Sequence, residues 1–141
     1  MQVDFSNADH YRSFVTVPEG TYVCAIREVR ESESREGAPR WWFRLEVVEG
    51  DYAGRTAAWD GISFHQRGLG RAKAVLGRLG FDTRGVLDVN AEDLIGRTAR
   101  VDLVIEERED QETGTRVERL RVPYLGYQAL EDASDGESTP F

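Results

Sequence analysis

Alternation at period two runs through most of the chain. After a Pro18-Glu-Gly20 break, Tyr22, Cys24 and Ile26 alternate with Val23, Ala25 and Arg27, which predicts a strand over 21–30. A charged turn at 32–39 follows, and then Trp41, Phe43, Leu45 and Val47 fall on one face while Trp42, Arg44 and Glu46 fall on the other. Residues 49–54 form a glycine turn, and 55–62 give a third strand centred on Trp59. The period then changes. Ala72, Val75, Leu76 and Leu79 stand at i, i+3, i+4 and i+7, which predicts a helix over 71–79 that Gly80 stops as a C-cap. Asn90 is a suitable N-cap for a short helix over 90–94. Strand pattern resumes at 98–107 with Val101, Leu103 and Ile105 inward, and Glu112-Thr-Gly-Thr115 turns into a fifth strand through Val117, Leu120 and Val122. Residues 1–17 are polar and irregular, with Asp9-His10-Tyr11 reading as loop or frayed end.

Three strands, a helix and two strands is the order of an OB-fold, the small Greek-key barrel that binds oligonucleotides. SH3-like barrels and split α+β sheets share similar strings. The expected organisation is mainly β: an N-terminal extension over 1–17, a five-stranded OB-fold barrel over 18–127 with one helix between strands three and four, and a disordered acidic tail over 128–141. At 141 residues, one domain can bury its own core without disulfides.

Composition narrows the function classes. The 40% hydrophobic and 31% charged content is ordinary for a globular protein, and no apolar run approaches the roughly 20 residues of a membrane span. With no signal-peptide pattern and a lone Cys24, a cytoplasmic location is expected, in the host if the chain is phage-encoded. Catalysis finds no support. His10 and His65 are isolated, Cys24 lies mid-strand, the acids at 106–107 and 109–110 read as a solvated edge and hairpin tip, and no serine sits in a nucleophile elbow. No cofactor or metal is expected.

The net charge of −8 argues against nucleic acid, and half of it lies in the tail, leaving −4 on residues 1–130. The positive charge is nearly all arginine, however, with Lys73 the only lysine, and guanidinium groups both fork onto phosphate and stack on rings. Single strands are held by aromatic platforms plus cations that follow the backbone. Trp42 must face away from Trp41, which places it beside Arg40 and Arg44 as the leading platform unless a loop or a dimer interface covers it. Trp59 is the second candidate, with core packing as the competing role. Arg55, Arg97 and Arg100 lie at strand ends, where they serve either as phosphate contacts or as solvated surface charges. Arg67, Arg71 and Lys73 surround the start of the helix, where free N–H groups suit an anion. The glycines there, Gly68 and Gly70, make neither a phosphate loop nor a dinucleotide fingerprint. Tyr124, with Tyr127, either caps the barrel end or extends the stacking path.

Two stretches carry a resemblance. Val47-Val-Glu-Gly-Asp-Tyr-Ala-Gly-Arg55 and Leu94-Ile-Gly-Arg-Thr-Ala-Arg-Val101, within 15–127, resemble turn phrases of a phage-type family of small single-stranded DNA-binding proteins. The acidic hairpin run 109–112 departs from that family, which often has an Asn-Gly-Lys type turn there. The final residues, acidic and ending in Pro140-Phe141, resemble the C-termini of bacterial single-stranded DNA-binding proteins, although Asp135 and Glu137 are spaced rather than successive. The resemblance implies sequence-nonspecific binding of single strands in replication, recombination or repair. It also implies recruitment of partner proteins by Asp135, Glu137, Pro140 and Phe141. An edge strand would allow a homodimer. The competing reading is a non-catalytic interaction or phage structural module that uses an OB-like barrel without nucleic acid, and a nuclease accessory or annealing factor is a third.

Overall fold

A computed structural model describes residues 1–2 and 11–130. The acidic tail residues Asp135, Glu137, Pro140 and Phe141 lie outside the described residues. The chain forms β1 (Tyr11–Ser13), β2 (Gly20–Glu33), β3 (Pro39–Val47), β4 (Thr56–Ser63), a 3-10 turn (Gln66–Gly68), α1 (Leu69–Arg78), a second 3-10 turn (Ala91–Leu94), β5 (Thr98–Glu109), β6 (Arg116–Arg121) and β7 (Tyr127–Gln128). Among the described residues the fold is mainly β with one α-helix.

The strands make one open, mixed sheet of seven in the order β1-β6-β5-β2-β3-β4, with β7 added against β5. A closed five-stranded barrel was expected, and the described strands do not close one: β4 and β6 have no ladder between them. The reason lies in β1, which the sequence reads as loop. It pairs in parallel with β6, Tyr11 opposite Arg116, and takes up the edge on which closure depends. The segment after it crosses the seam. Phe14 N–H donates to the Glu118 carbonyl at 2.8 Å, the Thr16 hydroxyl donates to the Thr56 carbonyl, and Arg55 donates to the Thr16 carbonyl at 2.9 Å.

β2 organises the sheet because it is long enough to serve two partners. Gly20 to Ala25 pair with β5 and Cys24 to Glu33 with β3, and the register against β3 shifts between Ile26 and Glu28. That bulge turns Val29 inward opposite Phe43, where unbroken alternation from Ile26 would leave it outside. Trp41, Phe43, Leu45 and Val47 are all buried, as the period-two pattern requires, and they meet Ile26, Val75, Leu76, Leu94, Val101 and Leu103 in one core. Ile105, expected inward, is exposed, because β5 runs on past the core to join β6 in a projecting hairpin. α1 lays Ala72, Val75 and Leu76 on the sheet, and Gly80 takes φ 101° just beyond it, a conformation that favours glycine.

Burial pushes the Cys24 thiol up to about 12, and burial, then the neighbouring Asp60, raises the Tyr127 phenol well above its ordinary 10. Both folded pKa values exceed their unfolded ones. Their stabilising contribution is therefore complete below about pH 9 and is lost as pH rises through the folded values. Unfolding midpoints in urea are expected to hold steady from pH 7 to about 9 and to fall above it, with Cys24 unreactive to a thiol reagent until the chain unfolds. A midpoint unchanged up to about pH 11 would contradict this.

Candidate nucleic-acid interface

The register of β2, β3 and β4 assembles the outward face residue by residue. Trp42 lies between Arg30 and Gly61, Arg44 lies between Glu28 and Trp59, and Arg40 lies between Ser32 and Ser63. Both indoles are solvent-accessible, Trp42 at 39% and Trp59 at 40%. Each carries a cation on its ring: the Arg40 guanidinium is 4.9 Å from the Trp42 centroid, and the Arg30 guanidinium is 4.8 Å from that of Trp59. Gly61 explains how Trp42 lies down. A Cβ there would stand 2.7 Å from the indole, so glycine lets the ring settle flat on the β4 backbone.

Charges on this face are mixed. Glu28 accepts from Arg30 at 2.9 Å and pairs with Arg44 at 3.4 Å, and Glu46 lies 3.7 Å from Arg44 and 3.3 Å from Arg27. These guanidinium groups hold the Glu28 carboxyl below its ordinary range, with the hydrogen bond from Arg30 the largest cause. Arg40 makes no ion pair among the described residues, so a positive charge without a carboxylate partner stands beside Trp42.

The other expected contacts are dispersed. Arg55, exposed just before β4, leans on Tyr52 and bonds Thr16. Arg97 covers Phe81 at 4.0 Å, and Arg100 is paired within β5 to Val23 and Gln128, so both stand beyond β2 from the indoles. The three cations around the helix start do not converge. Arg67 is extended toward Glu36 at 4.0 Å, and Lys73 lines a separate hollow on α1 with Thr83 and Leu87. Arg71 is turned inward, bonding Asp60 at 2.7 Å, the Gly61 carbonyl at 2.6 Å and the Tyr124 carbonyl at 3.0 Å. A guanidinium with three protein acceptors and 14% side-chain exposure acts as a brace and has little left for phosphate. Tyr124 is exposed with Arg71 beside its ring, while Tyr127 is buried and donates to Asp60 at 2.6 Å. His65 accepts from the Arg67 N–H at the 3-10 turn, a local cap.

Sequence reasoning missed four residues of this face and a groove beside it. Arg30 stands opposite Trp42 because the Ser34–Ala38 turn closes with Ser34 N–H on the Ala38 carbonyl, and counting back from that turn was the available signal. Gly61 and the acids Glu28 and Glu46 emerge from the same register. It also missed a groove of about 560 Å3 between β4 and β6, with Phe14, Trp59, Val117, Leu120, Arg108 and Arg119 among its walls.

The described residues form a small, mainly β domain whose open sheet carries an outward ladder of aromatic and guanidinium groups. The chain belongs to the family described as protein of unknown function DUF669, whose model matches residues 3–120 and so spans β1 through most of β6. No curated protein matches the chain.

Proposed function

We propose that this chain is a sequence-nonspecific single-stranded DNA-binding protein of phage or prophage type, acting in replication, recombination or repair. The observation that carries the reading is the pair of exposed indoles on adjacent strands, each already stacked with a guanidinium. Stacking platforms accept any base, and arginine beside them follows the backbone. The strand order supports an OB-fold whose seam is left open. β2, β3, β4, β5 and β6 stand as its five strands, α1 lies between the third and fourth, and the two indoles occupy strands two and three, the face through which OB-folds take oligonucleotides. No catalytic role is assigned. Among the described residues, no group of three or more His, Cys, Asp or Glu is placed to hold a metal ion, and no helix is long and apolar enough to cross a membrane. The terminal segment with Asp135, Glu137, Pro140 and Phe141 is given the partner-recruiting role that its resemblance implies.

One observation favours the competing reading of a protein-contact module: Glu28 and Glu46 neutralise Arg44 and its neighbours. The test uses that carboxylate. Intrinsic tryptophan fluorescence titrated with oligo-dT at two salt concentrations is expected to be quenched, more weakly at high salt. Glu28→Gln, which frees Arg30 and leaves Arg44 with Glu46 as its one carboxylate partner, is expected to tighten binding several-fold at low salt. No quenching in either protein favours the protein-contact module.

A further inference from the structure

The binding face does not end at Trp59. The same indole forms one wall of the β4–β6 groove, and on the groove's other side stands Phe14, 58% exposed on the segment that crosses the seam. An exposed phenylalanine on a short connecting segment would normally be free to swing. Here the backbone is fixed on both sides of it, by the Phe14 N–H bond to Glu118 and by the Thr16 bonds to Thr56 and Arg55. The backbone that carries the ring is thus fixed before any ligand arrives, which lowers the ordering cost of binding.

The groove also carries a cation that makes no ion pair among the described residues. Arg119 sits opposite Glu106 in the β5–β6 ladder, but Glu106 bonds Arg108 at 2.6 Å and Arg121 at 2.9 Å instead. Among the described residues Arg119 has no ion pair, and its side chain is exposed on the groove wall. At about 560 Å3 the groove is within the size range of sites that take small organic groups, and its walls are largely apolar. Glu109 and Asp110 bound it at the hairpin end, where they would repel a phosphate.

We infer that this groove is a terminal nucleotide subsite, in which Phe14 stacks an unpaired base beyond Trp59 and Arg119 meets its phosphate. The inference rests on the single-strand reading and adds direction to it. The strand runs from Trp42 across Trp59 into the groove and stops at the acidic hairpin, so Phe14 is reached only by an oligonucleotide long enough to pass both indoles.

The test is a length series of oligo-dT from about four to about twelve nucleotides, within the site sizes of such folds, titrated against the parent, Phe14→Ala and Trp42→Ala. Phe14 is exposed, so its truncation leaves the core intact, and thermal melting checks this. The parent is expected to gain affinity with length up to the full path. Phe14→Ala is expected to match the parent on the shortest oligonucleotides and to fall short by about five- to a hundredfold on the longest, whereas Trp42→Ala weakens every length. A Phe14→Ala protein that follows the parent at all lengths would overturn the subsite and leave the indole face standing. A parent that binds none of the series at low salt would overturn both.

Discussion

Asp60→Ala is expected to lower the stability of the fold by about 3 kcal/mol, the range seen when one partner of a buried ion pair is removed. The Asp60 carboxylate lies on the inner side of β4, opposite Phe43 in the register, with 15% of its side chain exposed. Three donors hold it there: the Arg71 guanidinium at 2.7 Å, the Tyr127 hydroxyl at 2.6 Å and the Gly61 N–H at 2.8 Å. Alanine leaves a mostly buried guanidinium without its counter-charge and a buried phenol without its acceptor. It also uncouples β4 from α1 and β7, which Arg71 and Tyr127 bring to the same carboxylate. For a domain of this size the melting midpoint should drop by about 10 °C. Tyr127→Phe removes one charge-assisted hydrogen bond and is expected to cost less, about 1.5–3 kcal/mol. Differential scanning calorimetry checks both, and an Asp60→Ala midpoint within a degree or two of the parent would show that the network is not a brace.

Removing both platforms should have the largest effect on binding. Each stacked base is worth about 1–3 kcal/mol by alanine substitution, so the Trp42→Ala/Trp59→Ala double variant is expected to lose at least about 2 kcal/mol, roughly thirtyfold in affinity. Trp42 also shields the Gly61 backbone, and its truncation removes that cover. Trp42→Leu separates the two roles. Leucine keeps an apolar side chain over Gly61 but offers no π-face, so melting should stay near the parent while binding falls about as far as in Trp42→Ala. A leucine variant that binds like the parent would show that the indole serves the sheet and not a ligand.

What the sequence revealed and what it hid follow from the range of the interactions. The outward direction of Trp42 was legible because alternation along β3 is a local rule, and the buried set Trp41, Phe43, Leu45 and Val47 follows from it. A helix over 71–79 was legible from a single apolar stripe and the glycine after it, and α1 spans Leu69–Arg78. Arg30 was hidden because the bulge after Ile26 reverses which side of β2 faces out. β1 was hidden because three residues carry no periodicity, and its partner lies more than a hundred positions away on β6. The open seam follows from β1 and was equally out of reach. Arg71 was read as a phosphate contact from its place at the helix start. Its actual partners, Asp60 and the Gly61 and Tyr124 carbonyls, come from β4 and from the segment before β7, and no local spacing brings those together. The net negative charge reports on the whole chain and not on the face, where Arg40, over the Trp42 ring, makes no ion pair among the described residues.

The most direct measurement is the affinity of the full chain for a labelled oligo-dT, read by anisotropy across a salt series beside a duplex of equal length. Single-strand binding should weaken along a straight line in log K against log salt, with a slope of roughly −0.7 for each phosphate neutralised, and the duplex should bind far more weakly. Equal affinity for the two nucleic acids, or none for the single strand at low salt, would contradict a binding face built on Trp42 and Trp59.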